Sequence, residues 1–277
     1  MSYAKYGQVI LPFLSENQLE GFCRQEVKNV DIDLFKKVWS EKQSFLQTRQ
    51  PTDLTCGLKE MLESDKERYF YSDASFQEYY QNQEITPIWL THFKQITPLK
   101  PFIAVENCEE LSKRYEQEGF ESICLKKSDK RYKAQFNLNH QDNLQLSMIT
   151  EDRSIHVKGI NIKKGETSAD IKFEVHVGRP SHFIEILFQD DKYYLLNGLH
   201  RLYTLMKHRY DGLVPCLLMN PAQEQKIVHP YQQSIFGKYP PILEDFLDEN
   251  LLYSFELQTG MKHIQLLTQD HLIPNWI

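Results

Sequence analysis

The sequence predicts an α+β protein, with a mainly helical N-terminal region at residues 1–97 and a mixed-sheet domain at residues 98–277. Apolar residues in the first region recur at three- and four-residue steps, which is typical of amphipathic helices. After Pro101 the spacing changes to an alternation of apolar and polar residues, which is typical of strands. The composition supports a globular chain with a core, because 41% of the 277 residues are hydrophobic and 25% are charged.

The N-terminal region contains the start and stop signals of helices. Ser15 and Gln18 match a capping box, in which two side chains satisfy backbone groups at a helix start. A second helix is predicted over residues 31–48, which place one broad apolar face together, and Pro51 ends that pattern. The tyrosine-rich segment at residues 63–84 is interpreted as core-facing, either as a helix with an aromatic face or as an irregular connection.

The second region begins with a strand at residues 101–105, a helix at 108–118 and a strand at 122–126. A double proline at 240–241 precedes a helix, and residues 264–267 form the last predicted strand. The simplest arrangement of the part between is an antiparallel meander, with strands at residues 134–138, 144–149, 154–162 and 169–177.

Residues 183–219 form the stretch around which the rest of the prediction is organised. Two strands at 183–188 and 193–196 are separated by turn-forming residues and predict a hairpin. Helical spacing begins at Leu199, and an apolar run at 214–219 predicts a third strand. The unit therefore consists of strand, turn, strand, helix and strand.

The junction between the second strand and the helix has the chemistry of an anion site. Backbone N–H groups in the first turn of a helix lack partners, and the helix dipole makes that end positive. Asn197 is the predicted N-cap, and Gly198 permits a close approach to the backbone. His200 and Arg201 add two donor side chains, which predicts a phosphate site. The alternative is that Arg201 pairs with a nearby carboxylate and that His200 is structural.

This junction also resembles the signature of the ParB/sulfiredoxin superfamily. The chain reads Tyr-Tyr-Leu-Leu-Asn-Gly-Leu-His-Arg into the helix and Val-Pro-Cys-Leu-Leu in the strand that follows. The resemblance covers residues 175–220 and implies a small α+β nucleotide-binding fold. It implies that Gly198, His200 and Arg201 meet the phosphates of a nucleotide of the ATP or CTP class, with Mg²⁺ as a further expected cofactor.

The chain departs from the known members of that superfamily in three respects. Leu199 stands where sulfiredoxins carry their reactive cysteine, so the resemblance does not extend to their reductase chemistry. Asn197 stands where free-serine kinases of this fold usually have Asp, and an amide cannot serve as a base. The Gly-Glu-Arg-Arg motif of ParB-type CTP switches is replaced by Gly-Leu-His-Arg, and no downstream helix-turn-helix segment follows.

Two further residues are candidates for the same site. Arg179 lies between Gly178 and Pro180, which restrict its backbone, and we expect its side chain to reach the ligand. Glu185 is a carboxylate inside an apolar strand, on the face opposite Ile184 and therefore opposite the predicted core. Glu185 is the candidate catalytic carboxylate beside His200 and Arg201, and the alternative is a solvated strand residue.

Charge and cysteine usage exclude several classes of function. A net charge of −6 argues against a dedicated duplex-DNA binder, although five basic residues between Lys126 and Lys133 leave a nucleic-acid role open. Five scattered cysteines without a Cys-X-X-Cys pair indicate neither a disulfide framework nor a zinc module, and no metal ligands are predicted. We expect a cytoplasmic protein without membrane segments, because no apolar run approaches the ~20 residues needed to span a bilayer.

These observations favour a nucleotide- or phosphate-binding protein, with phosphoryl transfer or nucleotide hydrolysis as the expected reaction class if it is an enzyme. One alternative is a non-catalytic regulatory module that binds a protein partner through its aromatic N-terminal region. Another is a nucleic-acid processing factor that uses the basic cluster from Lys126 to Lys133.

Overall fold

The computed structural model contains two compact units. One comprises Met1–Lys127 and Ser181–Thr259, and the other comprises Ser128–Pro180 and Gly260–Ile277. Helices and strands occur together, in agreement with the predicted α+β class. The residues that the structure describes are 5–47, 57–73, 76–77, 80, 85–125, 134–139, 145–150, 156–164, 171–178, 182–189, 192–219, 240–257 and 262–267.

The strands, in chain order, are β1 (Tyr6–Ile10), β2 (Gly57–Glu60), β3 (Ile85–Thr91), β4 (Thr97–Pro98), β5 (Phe102–Ala104), β6 (Ala134–Asn139), β7 (Gln145–Thr150), β8 (His156–Lys164), β9 (Ile171–Gly178), β10 (Glu185–Gln189), β11 (Lys192–Asn197), β12 (Val214–Met219), β13 (Leu252–Glu256) and β14 (Lys262–Leu267). The α-helices are α1 (Glu16–Glu26), α2 (Ile32–Gln47), α3 (Glu63–Lys66), α4 (Val105–Glu118), α5 (Phe120–Cys124) and α6 (Leu199–Lys207). A π-helical segment at Glu67–Tyr71 continues α3, and short 3₁₀ turns lie at Leu11–Phe13, Phe93–Gln95 and Leu243–Leu247.

The capping box at the start of α1 is confirmed. The Ser15 hydroxyl accepts a hydrogen bond from the Gln18 N–H at 3.4 Å, and the Gln18 side chain accepts one from the Ser15 N–H at 2.8 Å. In the tyrosine-rich segment, Tyr69 and Phe70 are buried, as expected for a core-facing aromatic stretch. The strand predicted at residues 122–126 is wrong, because residues up to Cys124 belong to α5.

The two sheets of the first unit join residues from both ends of the chain. A six-stranded sheet has the order β2-β3-β12-β10-β11-β4, and a three-stranded antiparallel sheet has the order β13-β1-β5. In the second sheet β1 lies between strands that follow residue 98. β1 therefore pairs with strands from beyond the predicted boundary between residues 97 and 98. The region predicted to be mainly helical also contains the strands β1, β2 and β3.

Strand pairing within the second unit is antiparallel, as expected. The strands β14, β7 and β6 form one sheet in that order, and β8 pairs with β9 in a second. Their bounds lie close to the predicted strands. Among the described strands, β7 lies between β6 and β14 and does not pair with β8, so the predicted order of the meander is wrong at that point.

The central hairpin, helix and third strand form as predicted. β10 pairs antiparallel with β11 and parallel with β12, and α6 connects β11 to β12. Both faces of β10 are covered: Ile184 and Ile186 are fully buried on one side, and Phe183 and Leu187 on the other. Phe188, which a two-residue period places on the same face as Ile184 and Ile186, is instead exposed. The register between β10 and β11 shifts at Glu185, so a simple two-residue period does not hold along the pair.

Helix α6 packs its apolar side into the main core. Leu202 and Leu205 are fully buried, and Leu199 and Met206 are nearly so. These side chains belong to one cluster with Ile184 and Ile186 of the sheet and with Phe246 of the last 3₁₀ turn. Helix α6 is therefore held on the sheet at its first turn as well as along its length.

Candidate functional site

Gly198 forms the junction between β11 and α6. Its φ of 106° lies in the left-handed region, and it occupies the N-cap position without a side-chain cap. A Cβ atom there would lie 2.9 Å from Cγ1 of Ile184. The glycine is therefore required both by the backbone turn and by the packing of Ile184.

Asn197 is not the N-cap that the sequence predicted. It is the last residue of β11, and its Nδ2 donates a hydrogen bond to the Phe183 carbonyl at 3.0 Å. The amide therefore joins the end of β11 to the segment that enters β10. Its position opposite Glu185 in the strand pair brings two of the predicted site residues together.

The guanidinium of Arg201 is surrounded by backbone carbonyls. Nη2 donates to the Phe183 carbonyl at 2.9 Å, and Nη1 donates to the His182 carbonyl and, at 3.4 Å, to the Cys124 carbonyl. No carboxylate of the described residues lies within ion-pair distance of this group. Desolvation lowers the pKa of Arg201 below its ordinary value, and the more distant Glu185 acts in the opposite direction.

His200 makes a different long-range contact. Its Nε2 accepts a hydrogen bond at 2.9 Å from the N–H of Ala104, the N-cap residue of α4. A ring nitrogen that accepts a hydrogen bond carries no proton, so the imidazole is neutral. Burial, then Lys100, then Arg201 lower the pKa of His200 to about 4. His200 therefore links α6 to α4 as a neutral acceptor.

Glu185 is half-buried and engaged by a tyrosine. Its Oε1 accepts a hydrogen bond from the Tyr80 hydroxyl. The ring of Tyr80 lies 6.1 Å from that of Phe183 and 5.4 Å from that of Phe76. This places the carboxylate at the edge of an aromatic cluster, not on a fully solvated strand surface.

Lys100 is the site residue that the sequence interpretation missed. β4 pairs parallel with β11 up to Leu195 and Pro98, and the Leu99 N–H donates to the Leu195 carbonyl at 3.3 Å. Continuing this register places Lys100 beside the end of β11, next to the start of α6. Lys100 is exposed and belongs to no motif, so only the pairing of β4 with β11 identifies it.

The start of α6 is electropositive. Its first turn contains no acidic residue, whereas Arg201 lies within it and Lys100 acts on His200 from the neighbouring loop. The positive end of the helix dipole adds to these two cations. Positive charge is therefore concentrated at this junction without a neutralising acid in ion-pair contact among the described residues.

The structure does not describe two of the predicted features, and it bears on two others only within the described residues. Arg179 and the basic cluster from Lys126 to Lys133 are outside them. Within the described ranges, no group of three or more His, Cys, Asp or Glu side chains is placed to hold a metal ion. No helix in the same ranges has the length and apolar character needed to cross a membrane.

Comparison with known proteins gives no match among family models, curated proteins or solved structures. The resemblance to the ParB/sulfiredoxin superfamily therefore stays a prediction that rests on the motif at residues 197–201 and the strand that follows it.

Proposed function

We propose that this chain binds a phosphate-bearing small molecule of the nucleotide class at the start of α6. The observation that carries the proposal is the environment of Arg201, a desolvated cation at the positive end of a helix, with no carboxylate of the described residues in ion-pair contact. Removing a cation from water costs several kcal/mol unless opposite charge compensates it. A bound anion supplies that charge.

Arg201 is not a direct ligand of the phosphate in this proposal, although the sequence predicted that it would be. Three carbonyls occupy the guanidinium of Arg201, so Arg201 contributes charge at short range while it fixes the loop before β10. Direct donors are the backbone N–H groups of the first turn of α6 and the ammonium of Lys100. His200 holds α4 in place as a neutral group.

Binding, not turnover, is the function that this geometry supports best. Glu185, which lies opposite Asn197 in the strand pair, is the candidate base, and its carboxylate already accepts a hydrogen bond from the Tyr80 hydroxyl. Phosphoryl transfer and nucleotide hydrolysis with Mg²⁺ therefore remain hypotheses that follow only if binding is found.

A non-catalytic interaction module is the second candidate, and one observation favours it. The carbonyl contacts of Arg201 and the Ala104 contact of His200 give both side chains a structural role without any ligand. If that role is complete, the junction holds the core together and function lies on another surface.

Isothermal titration of wild-type protein with inorganic phosphate, ATP and CTP, with and without Mg²⁺, distinguishes the two candidates. Lys100→Gln removes one exposed cation that makes no described hydrogen bond, so the fold should be unaffected. An exposed ion pair contributes up to about 1 kcal/mol, so its loss corresponds to binding that is weaker by up to roughly fivefold.

Lys59→Gln is the matched control, because Lys59 is exposed on β2, at the opposite edge of the six-stranded sheet from β4. It should leave the dissociation constant unchanged. Absence of binding by any of the three ligands at millimolar concentration refutes the phosphate site and leaves the interaction module. Equal binding by wild type and Lys100→Gln places the anion elsewhere.

A further inference from the structure

A groove runs between α4 and α6 above β1 and β5. Its volume is about 370 Å³, within the range of small-molecule clefts. Ile103, Cys108 and Tyr203 line it, and all three are buried. Burial raises the pKa of the Cys108 thiol to about 12, so the thiol is neutral and the floor is apolar.

The rim of the groove offers hydrogen-bonding groups that have no partner among the described residues. Gln8, Ser112 and Lys207 line it, and their side chains form no hydrogen bond or ion pair in the part of the chain that the structure describes. Lys207 lies over the Tyr203 ring, with its Nζ 5.8 Å from the ring centroid. Two carboxylates and a second ammonium also line the groove, from Glu109, Glu116 and Lys113. An amide, a hydroxyl and charged groups of both signs therefore surround an apolar floor with an aromatic ring.

The groove adjoins the start of α6. Residues of an α-helix are separated by about 100°, so His200, Tyr203 and Lys207 share one side of α6. His200 contacts Ala104, and the two neighbours of Ala104 in the chain, Ile103 and Val105, line the groove. The seven residue steps from His200 to Lys207 span about 10 Å along the helix axis. The groove therefore leads away from the electropositive junction along α6.

We propose that this groove, the α4–α6 groove, holds the nucleoside part of a nucleotide whose phosphates lie at the start of α6. The inference rests on the proposed function and adds a binding site for the nucleoside. A nucleoside has a planar ring that packs on apolar and aromatic side chains, and its hydroxyl and amine groups hydrogen-bond to amide and hydroxyl partners. A simple phosphate ester without such a ring would leave the floor of the groove in water.

The α4–α6 groove can be blocked without touching the phosphate site. Ser112 is half-buried on α4, so Ser112→Trp places an indole in the groove, whereas Gln117→Trp adds the same side chain at an exposed position of α4 that does not line it. Titrations compare ATP and CTP with inorganic tripolyphosphate, which carries the phosphates and lacks the nucleoside.

We expect Ser112→Trp to weaken binding of ATP or CTP at least tenfold and to change tripolyphosphate binding less than twofold. Gln117→Trp should change neither. Equal effects of Ser112→Trp on nucleotide and tripolyphosphate, or no effect on either, overturn the groove assignment while the phosphate site stands. Failure of wild-type protein to bind tripolyphosphate refutes the phosphate site itself.

Thermal melting detects any misfolding of Ser112→Trp. A second variant tests the groove assignment in that case. Lys207→Gln alters the exposed rim without adding bulk, and we expect it to weaken nucleotide binding about threefold with little effect on tripolyphosphate. An unchanged ratio of the two affinities in this variant contradicts the groove assignment independently.

Discussion

Replacing Arg201 with alanine removes the donors that hold three backbone carbonyls. The carbonyl of Phe183 keeps one partner, because the Asn197 side chain also donates to it at 3.0 Å. The carbonyl of His182 loses its contact with Nη1, and that of Cys124 loses one at 3.4 Å. The variant therefore loses less than three full hydrogen bonds, and the His182 carbonyl is the acceptor affected most.

The expected cost follows from these contacts. A buried acceptor left without its donor costs about 1–3 kcal/mol, and hydrogen bonds to charged donors are at the upper end of the usual range. The lost contact at His182 and the long contact at Cys124, together with partial compensation at Phe183, give about 3 kcal/mol. The free energy of unfolding is measured by urea titration, where the midpoint should fall while the slope stays constant.

Two comparisons test this reasoning. Arg24→Ala, at an exposed position of α1, should change the free energy of unfolding by less than about 0.5 kcal/mol. Asn197→Ala combined with Arg201→Ala should cost more than the sum of the single changes, because the Phe183 carbonyl then loses both donors. A loss below about 1 kcal/mol for Arg201→Ala refutes the structural role of the side chain.

The remaining predictions concern His200 and Gly198. The folded-state pKa of His200 is about 4, below its ordinary value of 6.5, so the unfolded chain takes up the proton first as pH falls. Stability should therefore be full above about pH 6.5 and decrease by up to about 3 kcal/mol towards pH 4, and His200→Gln, whose side-chain oxygen can still accept the Ala104 N–H, should remove that part of the pH dependence in urea titrations. Gly198→Ala should cost about 2–4 kcal/mol in the same assay, because it combines a left-handed φ with a contact at 2.9 Å to Ile184, and a cost below 1 kcal/mol contradicts the packing at the junction.

Local sequence signals were sufficient for the central unit. The hairpin of β10 and β11, helix α6 and strand β12 follow from short-range patterns, because hydrophobic periodicity and turn residues act over few positions. The same patterns could not separate a short apolar strand from a short apolar helix. α5 was predicted as a strand for that reason, since five residues are too few to establish a period.

The chemistry of the junction depends on contacts that sequence patterns do not encode. Arg201 reaches a carbonyl 77 positions away at Cys124, and His200 reaches Ala104, 96 positions away. A sequence shows which groups a side chain can donate or accept, but the fold determines which partners come within 3 Å. Lys100 was missed for the same reason, because only the parallel pairing of β4 with β11 brings it to the start of α6.

The most direct test of anion binding at the start of α6 is a titration of ¹⁵N-labelled protein with inorganic phosphate, followed by amide chemical shifts. We expect the amides of Gly198, Leu199, His200 and Arg201 to shift first and to saturate together, with smaller changes at Lys100. Shifts that begin in the cluster from Lys126 to Lys133, or no saturable shifts at all, contradict a phosphate site at this junction.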